Sequence, residues 1–339
     1  MNAKIVVVIP SWNHAHGLRA CLDSVQAQTL KPHIIVVDNG STDDSVAIIE
    51  KHYPNVELIK HEKNLGYSGG VNPGFRRAME MDYDYVAPFN NDAIADRNWL
   101  KYLAAYLNTH ADTGIVTCKL LSADGKHLDS TGDYYTTWGL AYPRGRGEAD
   151  ITRYDNETNI FGASGGASLY RVAMLREIGI LDDNFFAYYE DVDISFRAQL
   201  AGWKIAYVPD SKVYHEMSVT GARIKGFFTY QTMKNLPMVL WKNVPLPLLP
   251  TVLPRFTLVY ISFFVSAAQR GQLYYAVKGS LRATVLLPKK MWQRRRIQKN
   301  RKVDVDYIKS ILVWDLPPNA ARWRAIRTRW WRITGQSGS

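Results

Sequence analysis

Apolar runs at residues 5–9, 34–37, 56–59, 85–89 and 115–121 alternate with stretches whose apolar residues recur at helical spacing, such as Leu18, Cys21, Leu22 and Val25. Short apolar runs between amphipathic helices are the pattern of a sheet buried on both faces. The first 120 residues are therefore predicted to form an α/β unit around a mostly parallel sheet, with helices over about 46–53, 72–81 and 99–107. Open sheets of this kind bind ligands at the carboxyl ends of their strands. Polar residues gather there: the first run leads into Pro10-Ser11-Trp12-Asn13, the second into Asp38-Asn39-Gly40-Ser41 and the fourth into Asn90-Asn91-Asp92.

Each of these segments has a chemical reading and a plainer one. Asp38, an acceptor-only carboxylate, suits the imide N–H of a uracil or thymine ring, and equally suits a turn that Ser41 closes as a helix cap. The stretch with Asn64, Gly66, Gly69, Gly70 and Asn72 reads as a Gly-rich turn opening the third helix. Glycines there let a ligand approach the backbone, and a helix N-terminus attracts anions, although a tight strand-to-helix turn uses the same residues. Asn90, Asn91 and Asp92 offer one carboxylate and two amide oxygens, enough to hold Mg²⁺ or Mn²⁺ that also bonds diphosphate oxygens; an Asn-Asn-Asp turn without metal is the alternative. His215 ends a strand-like run at 212–215, and a neutral imidazole can be a second ligand for Mn²⁺.

The stretch 185–197 is the most informative. Val192, Phe196 and Leu200 repeat at helical spacing and are predicted to face the core, while Glu190, Asp191 and Asp193 fall in the first turn of the same helix. Acids in a first turn are stabilised by the helix dipole. The dipole is also expected to keep such a carboxylate ionised and ready to take a proton from an attacking hydroxyl.

The remaining segments read less regularly. Residues 124–160 suggest a loop-rich insertion or small antiparallel strands; a Gly-rich turn at 162–166, a helix at 172–178 and a strand at 205–208 follow. Composition shifts near residue 221. Residues 246–268 carry one charge, Arg255, and the prolines 247, 250 and 254 are expected to break the run, leaving 256–268, shorter than the roughly 20 residues needed to span a bilayer. That predicts an in-plane or re-entrant amphipathic segment, against the plainer reading of a helical subdomain packed on the core.

The net charge of +11 is uneven, with Lys289, Lys290, Arg294, Arg295, Arg296, Lys299, Arg301 and Lys302 in one cluster and Arg322, Arg324, Arg327, Arg329 and Arg332 interleaved with Trp323, Trp330 and Trp331 in another. Basic residues mixed with Trp suit an anionic membrane surface, with RNA as the second reading. Two cysteines, and a start at Met1 without a leader-like apolar stretch, fit a reducing compartment and no secretion, and leave no material for a Cys/His zinc site.

Taken in order, these segments resemble the family 2 glycosyltransferases of the GT-A fold over about residues 3–220, and within that family are most similar to bacterial rhamnosyltransferase-like members of polysaccharide and O-antigen assembly. The resemblance implies a catalytic domain at 1–220, with a nucleotide-sugar half at about 1–120 and an acceptor half at about 121–220. A C-terminal helical region, 221–339, would then lie at the cytoplasmic face of a bacterial inner membrane. It implies that Pro10, Asn13 and Asp38 meet the nucleoside, that Asn64, Gly66, Gly69 and Asn91 complete the nucleotide-sugar site, and that Asp92 with His215 binds a divalent cation. Asp191 would be the general base, Glu190 a helper or sugar contact, and Gly165 and Gly166 acceptor neighbours. The implied reaction is inverting transfer of a sugar such as rhamnose from a dTDP- or UDP-sugar to a lipid-linked or glycan acceptor. An inactive nucleotide-sugar-binding scaffold and a UDP-hexose or N-acetylhexosamine transferase are the rival readings. Two departures stand out: Asn occupies both leading positions of the metal motif, and no Gln-x-x-Arg-Trp motif follows Asp191, so a single transfer per encounter is expected.

Overall fold

The computed structural model describes residues 3–149, 151–216 and 224–316. Strands β1 (Ile5–Ser11), β2 (His33–Asp38), β3 (Glu57–Lys60) and β4 (Tyr85–Pro88) pair in parallel in the order β3-β2-β1-β4. Helices α1 (Ala15–Gln26), α2 (Ser45–His52) and α3 (Gly66–Glu80) connect them. Alternate residues of β1 enter opposite cores: Ile5, Val7 and Ile9 pack with α1, whereas Val6 and Val8 pack with Val71 and Phe75 of α3. This two-sided burial is why the strands read as continuous apolar runs.

Beyond β4 come β5 (Ala93–Ala95), α4 (Trp99–Thr109), β6 (Thr113–Ser122) and β7 (Leu128–Ser130). A separate hairpin of β8 (Asp133–Tyr135) and β9 (Ala141–Pro143) follows, then β10 (Ser168–Arg171), α5 (Val172–Ile178), α6 (Glu190–Leu200) and β11 (Lys204–His215). The sheet continues β4-β10-β6-β11-β5, where β10 and β5 run antiparallel to their neighbours, so it is parallel where the alternating pattern is strongest and mixed elsewhere. Strand order reverses at β1, whose neighbours β2 and β4 lead away in opposite directions, and this opens a crevice at the carboxyl ends of β1 and β4.

Several local expectations change. The third helix starts at Gly66, not near residue 72, so Gly69 and Gly70 are helical. Glycine is needed along this helix because it lies directly on β1: a Cβ at Gly74 would come 2.2 Å from the Val8 side chain. The helix after β2 starts at Ser45, and Ser41 does not cap it; the Ser41 hydroxyl instead accepts the Asn13 N–H at 3.0 Å. The strand signals at 205–208 and 212–215 belong to one strand, β11, irregular between Val208 and Lys212.

After β11 lie α7 (Phe227–Asn243), a 3-10 turn (Leu246–Leu248), α8 (Leu249–Gln269), α9 (Leu273–Lys299) and α10 (Val305–Ile311). The prolines do not break the apolar run: Pro250 falls in the first turn, where no backbone N–H is lost, and Pro254 removes one ladder hydrogen bond without ending the helix. Leu246–Gln269 is, by length and composition, long and apolar enough to cross a membrane, and little of it is buried. Of the basic cluster on α9, Lys290 and Arg294 turn inward, Lys290 to Asp182 and Asn184 and Arg294 to the Trp241 carbonyl, while Lys289, Arg295, Arg296 and Lys299 stay exposed. The Arg322–Arg332 run with its tryptophans, and the composition shift at 221, lie outside the described residues.

Candidate active site

The carboxyl end of β1, the turn between β4 and β5, the 162–166 turn and the start of α6 surround one cleft of about 1610 Å³. Pro10, Asn64, Gly66, Asn91, Asp92, Gly165, Gly166, Glu190, Asp191 and His215 all line it, so residues from near the start of the chain to the end of β11 are brought together. Asn13, Asp38 and Gly69 are not among its lining residues.

Asn13 and Asp38 serve their own loops, and Gly69 lies within α3, its carbonyl 3.3 Å from His61 Nε2. Asn13, at φ 50°, accepts the Thr42 N–H through Oδ1 at 2.7 Å and so ties the loop after β1 to the loop after β2. Asp38 Oδ2 accepts the N–H groups of Gly40 (3.2 Å) and Ser41 (3.1 Å), the local turn that short acidic side chains favour. Its other oxygen, Oδ1, is buried with no hydrogen-bond partner, a cost that a ligand's N–H would remove.

Asp92 and His215 meet because β11 pairs with β5, which places His215 opposite Ala93. His215 Nε2 lies 3.1 Å from Asp92 Oδ1 and 3.2 Å from Asn90 Nδ2, while its Nδ1 lies 2.8 Å from Asp129 Oδ2 on β7. A carboxylate behind a histidine orients the ring and raises its basicity, the usual support of a metal-ligating imidazole. Burial alone would push the His215 pKa down, but the hydrogen bond to Asp129 and the charge of the Asp92 carboxylate beside the ring outweigh it and raise the value to about 9. Asp92 Oδ1 is buried and receives no hydrogen bond of sound geometry.

The donor set therefore fits a divalent cation that draws its remaining ligands from diphosphate oxygens and water, as Mg²⁺ commonly does. Among the described residues no cluster of three or more His, Cys, Asp or Glu side chains offers a self-sufficient metal cage. The two-ligand set is consistent with Asn, not Asp, at positions 90 and 91: the Asn91 side-chain amide donates to the Ser11 hydroxyl at 3.3 Å, and the Asn90 side-chain amide nitrogen lies 3.2 Å from His215 Nε2. Gly166 is glycine because a Cβ there would come 2.6 Å from the Asn90 amide nitrogen.

Asp191 accepts the Val192 N–H (2.8 Å) through Oδ1 and the Gly165 N–H (3.2 Å) through Oδ2, which aims the carboxylate along the 162–166 turn. Burial acts on these acids in opposition to the helix dipole. Burial raises the Asp191 pKa against those two hydrogen bonds, and burial together with the Asp191 charge raises Glu190 well above the usual range. Asp193, the third acid of the turn, faces away from the cleft and is structural: Arg197 Nε (2.9 Å), Lys242 Nζ (2.8 Å) and Asn243 Nδ2 (2.9 Å) all donate to it. Those cations overcome its burial and hold its pKa low.

Four contributors escaped the sequence reading. Asp133 on β8 lines the cleft, and burial followed by the Asp191 charge pushes it to about 7. Tyr67 donates its hydroxyl to the Gly165 carbonyl at 2.6 Å. Arg146 lines the cleft and pairs with Asp129 at 2.9 Å. Of these, only Tyr67 sits within a recognised motif; Asp129, Asp133 and Arg146 lie in the irregular 124–160 segment, where no period marks them.

The backbone ahead of α6 is strained. Phe186, Tyr188 and Tyr189 adopt φ of 66°, 67° and 71°. Each left-handed non-glycine residue costs roughly 1–2 kcal/mol. Beyond these polar groups the cleft turns apolar, lined by Ile224, Phe228, Leu258, Ile261 and Val265, of which Phe228, Leu258, Ile261 and Val265 are at least half exposed.

The sequence model described as Glycosyl transferase family 2 matches residues 6–179. The chain is 27% identical over 243 residues to an N-acetylglucosaminyl-diphospho-decaprenol L-rhamnosyltransferase of Mycobacterium tuberculosis, covering 66% of this chain and 79% of that one. It is 26% identical over 223 residues to the O-antigen chain rhamnosyltransferase RfbN of Salmonella typhimurium, covering 64% and 68%. The fold is shared with the mannosyltransferase PcManGT from Pyrobaculum calidifontis, solved with GDP-Man and Mn²⁺, at a TM-score of 0.54 and 16% identity over 88% of this chain and 85% of that one.

Proposed function

The chain belongs to glycosyl transferase family 2, and on that premise we propose that it transfers a deoxyhexose such as rhamnose, with inversion, from a dTDP- or UDP-sugar to a lipid-linked acceptor. The observation that carries the reading is the single cleft with the Asp92–His215 pair on one side and Asp191 on another. Relatives named as rhamnosyltransferases, one of them acting on a diphospho-decaprenol acceptor, support the sugar and the acceptor class.

In this reading Pro10, Asn13 and Asp38 form the nucleoside end, with Asp38 Oδ1 free to take an imide N–H. Asn64, Gly66, Gly69 and Asn91 shape the nucleotide-sugar site. Asp92 and His215 would hold Mg²⁺ or Mn²⁺, whose charge would offset that growing on the departing diphosphate. Asp191 accepts the proton of the attacking hydroxyl; burial makes it a stronger base than an exposed aspartate, while the Gly165 and Val192 N–H groups fix its direction. Glu190 assists or contacts the sugar, and Gly165 and Gly166 border the acceptor. The two domains are 1–220 and 221–339. The apolar arm of the cleft, continuous with Asp191, suits the lipid portion of an acceptor, and the exposed Leu246–Gln269 helix with the basic residues of α9 suits the cytoplasmic face of a bacterial inner membrane.

The test is a panel of dTDP-, UDP- and GDP-sugars assayed for thermal stabilisation and for transfer to a polyprenyl-diphosphate-linked sugar, with Mn²⁺, Mg²⁺ or EDTA. Stabilisation by a dTDP- or UDP-deoxyhexose, and transfer that EDTA abolishes, are expected. A preference for a GDP-sugar, or transfer unaffected by EDTA, would overturn the donor or the metal assignment.

A further inference from the structure

The strained loop that presents Glu190 and Asp191 is held from the C-terminal helices. Asn235 of α7 is fully buried, and its side-chain amide nitrogen lies 3.1 Å from the Phe185 carbonyl, 2.9 Å from that of Ala187 and 2.7 Å from that of Tyr188. Two amide hydrogens thus serve three carbonyls, all turned toward α7 by a chain that passes through left-handed residues at 186, 188 and 189. The neighbouring Lys234, buried as well, donates to the Phe185 carbonyl at 3.0 Å. On its other side the same loop is fixed to the nucleotide-sugar half: the Phe186 carbonyl accepts the Ser68 N–H at 3.2 Å and lies where a Cβ at Gly66 would be, 2.3 Å away.

The Phe185 carbonyl also accepts the loop's own Ala187 N–H at 2.8 Å, whereas the Ala187 and Tyr188 carbonyls, turned inward with no strand or helix to receive them, need donors from outside the loop. The Asn235 amide is oriented by that need, since its own oxygen is buried without a partner and the flipped amide would set that oxygen against three carbonyls. The loop then ends at Tyr189, the residue that enters α6, so whatever fixes Ala187 and Tyr188 fixes the direction from which Glu190 and Asp191 enter the cleft.

We propose that Asn235 is a positioning residue for transfer: from outside the segment that matches the family, it clamps the 185–189 loop in the left-handed path that points Asp191 at the acceptor hydroxyl. The inference rests on the reading of Asp191 as the base. It assigns the C-terminal helices a part in catalysis besides any part in membrane contact, with Lys234 as the weaker partner because it reaches only one of the three carbonyls.

The experiment compares Asn235→Leu, Asn235→Asp and Lys234→Met with the unaltered full-length protein at a temperature well below each midpoint. Either Asn235 change is expected to lower kcat roughly 10- to 100-fold, the effect of misplacing a reacting group by about an ångström, with the KM for the sugar nucleotide within about twofold, and Lys234→Met should lower it less. Hydrogen exchange of residues 186–191 should rise in the Asn235 variants while α3 and β1 stay protected. General destabilisation would instead move KM, midpoint and exchange together throughout the molecule. A folded Asn235→Leu or Asn235→Asp protein with kcat unchanged, or with loop exchange unchanged, overturns the clamp. Asp191→Asn, run in parallel, separates the two ideas: if it keeps full turnover, the base reading fails while the exchange result still decides whether Asn235 holds the loop.

Discussion

The two sides of the cleft are built in different ways. On the side proposed to take the sugar nucleotide, Asn13, Asp38 and Ser41 hold one another's loops, and each bond spans at most 29 positions in the sequence. On the side of Glu190 and Asp191, Asp193 and the loop before α6 are held by Lys242, Asn243, Lys234 and Asn235, 47 to 50 positions away, and Asp182 by Lys242 and Lys290 at 60 and 108. A pocket of local turns can keep its shape when remote parts of the chain shift. A loop clamped by buried charges and amides from distant helices depends on those helices being docked.

The contrast is open to breaking, and the largest effect should come from the buried charges. Lys242 bridges Asp182 and Asp193, all three side chains less than a tenth exposed. Lys242→Met leaves both carboxylates short of a cation and should lower the unfolding free energy by roughly 3–5 kcal/mol, measured by urea titration. A loss under 1 kcal/mol would mean that the C-terminal helices are only loosely coupled to α6.

Next is Asp129, which supports His215 from behind. Asp129→Asn should weaken Mn²⁺ binding by about 10- to 100-fold, read by titration of the metal in the presence of donor, with thermal stability without metal much less affected. Equal Mn²⁺ affinity would remove His215 from the ligand set.

The acids themselves should show their burial as a pH effect. Because the Asp191 pKa is raised and the base acts ionised, kcat/KM should fall with decreasing pH at a value above that of a free aspartate. An acidic limb near the value of a free aspartate would show that the carboxylate is solvated in the working enzyme. The smallest effect belongs to the local side: Asn13→Ala removes the Oδ1 acceptor of the Thr42 N–H and hydroxyl and should cost only about 0.5–1.5 kcal/mol, seen as a small fall in midpoint and a modest rise in donor KM.

The same contrast explains what could be read from the sequence. The strands of the first half, the helix at Glu190 and the residues at strand ends follow from periodicity and from where open sheets bind ligands, so Pro10, Asn91, Asp92, Gly165, Gly166 and Asp191 were identifiable as residues and do converge. His215 required a register, β11 against β5, that no local pattern encodes. The start of α3 is hidden because its glycines look like a turn, whereas Gly70 and Gly74 let the helix lie on β1 and Gly66 leaves room for the Phe186 carbonyl. Pro254 was given too much weight, since an otherwise apolar helix carries one missing hydrogen bond without ending. Lys290 and Arg294 read as surface charge because composition cannot distinguish a solvated cation from one that neutralises a carboxylate more than a hundred positions away. Asp129, Asp133 and Arg146 carry no signal beyond their type.

The central claim is that Asp191 acts as the base in a cleft whose other side binds the sugar nucleotide independently. The most direct measurement is Asp191→Asn, with donor affinity by calorimetry beside single-turnover transfer. The account predicts donor affinity within about twofold of the unaltered protein and transfer lowered by roughly 10²- to 10⁴-fold, the range for loss of a positioned base. Transfer at the original rate, or donor binding lost together with transfer, would contradict it.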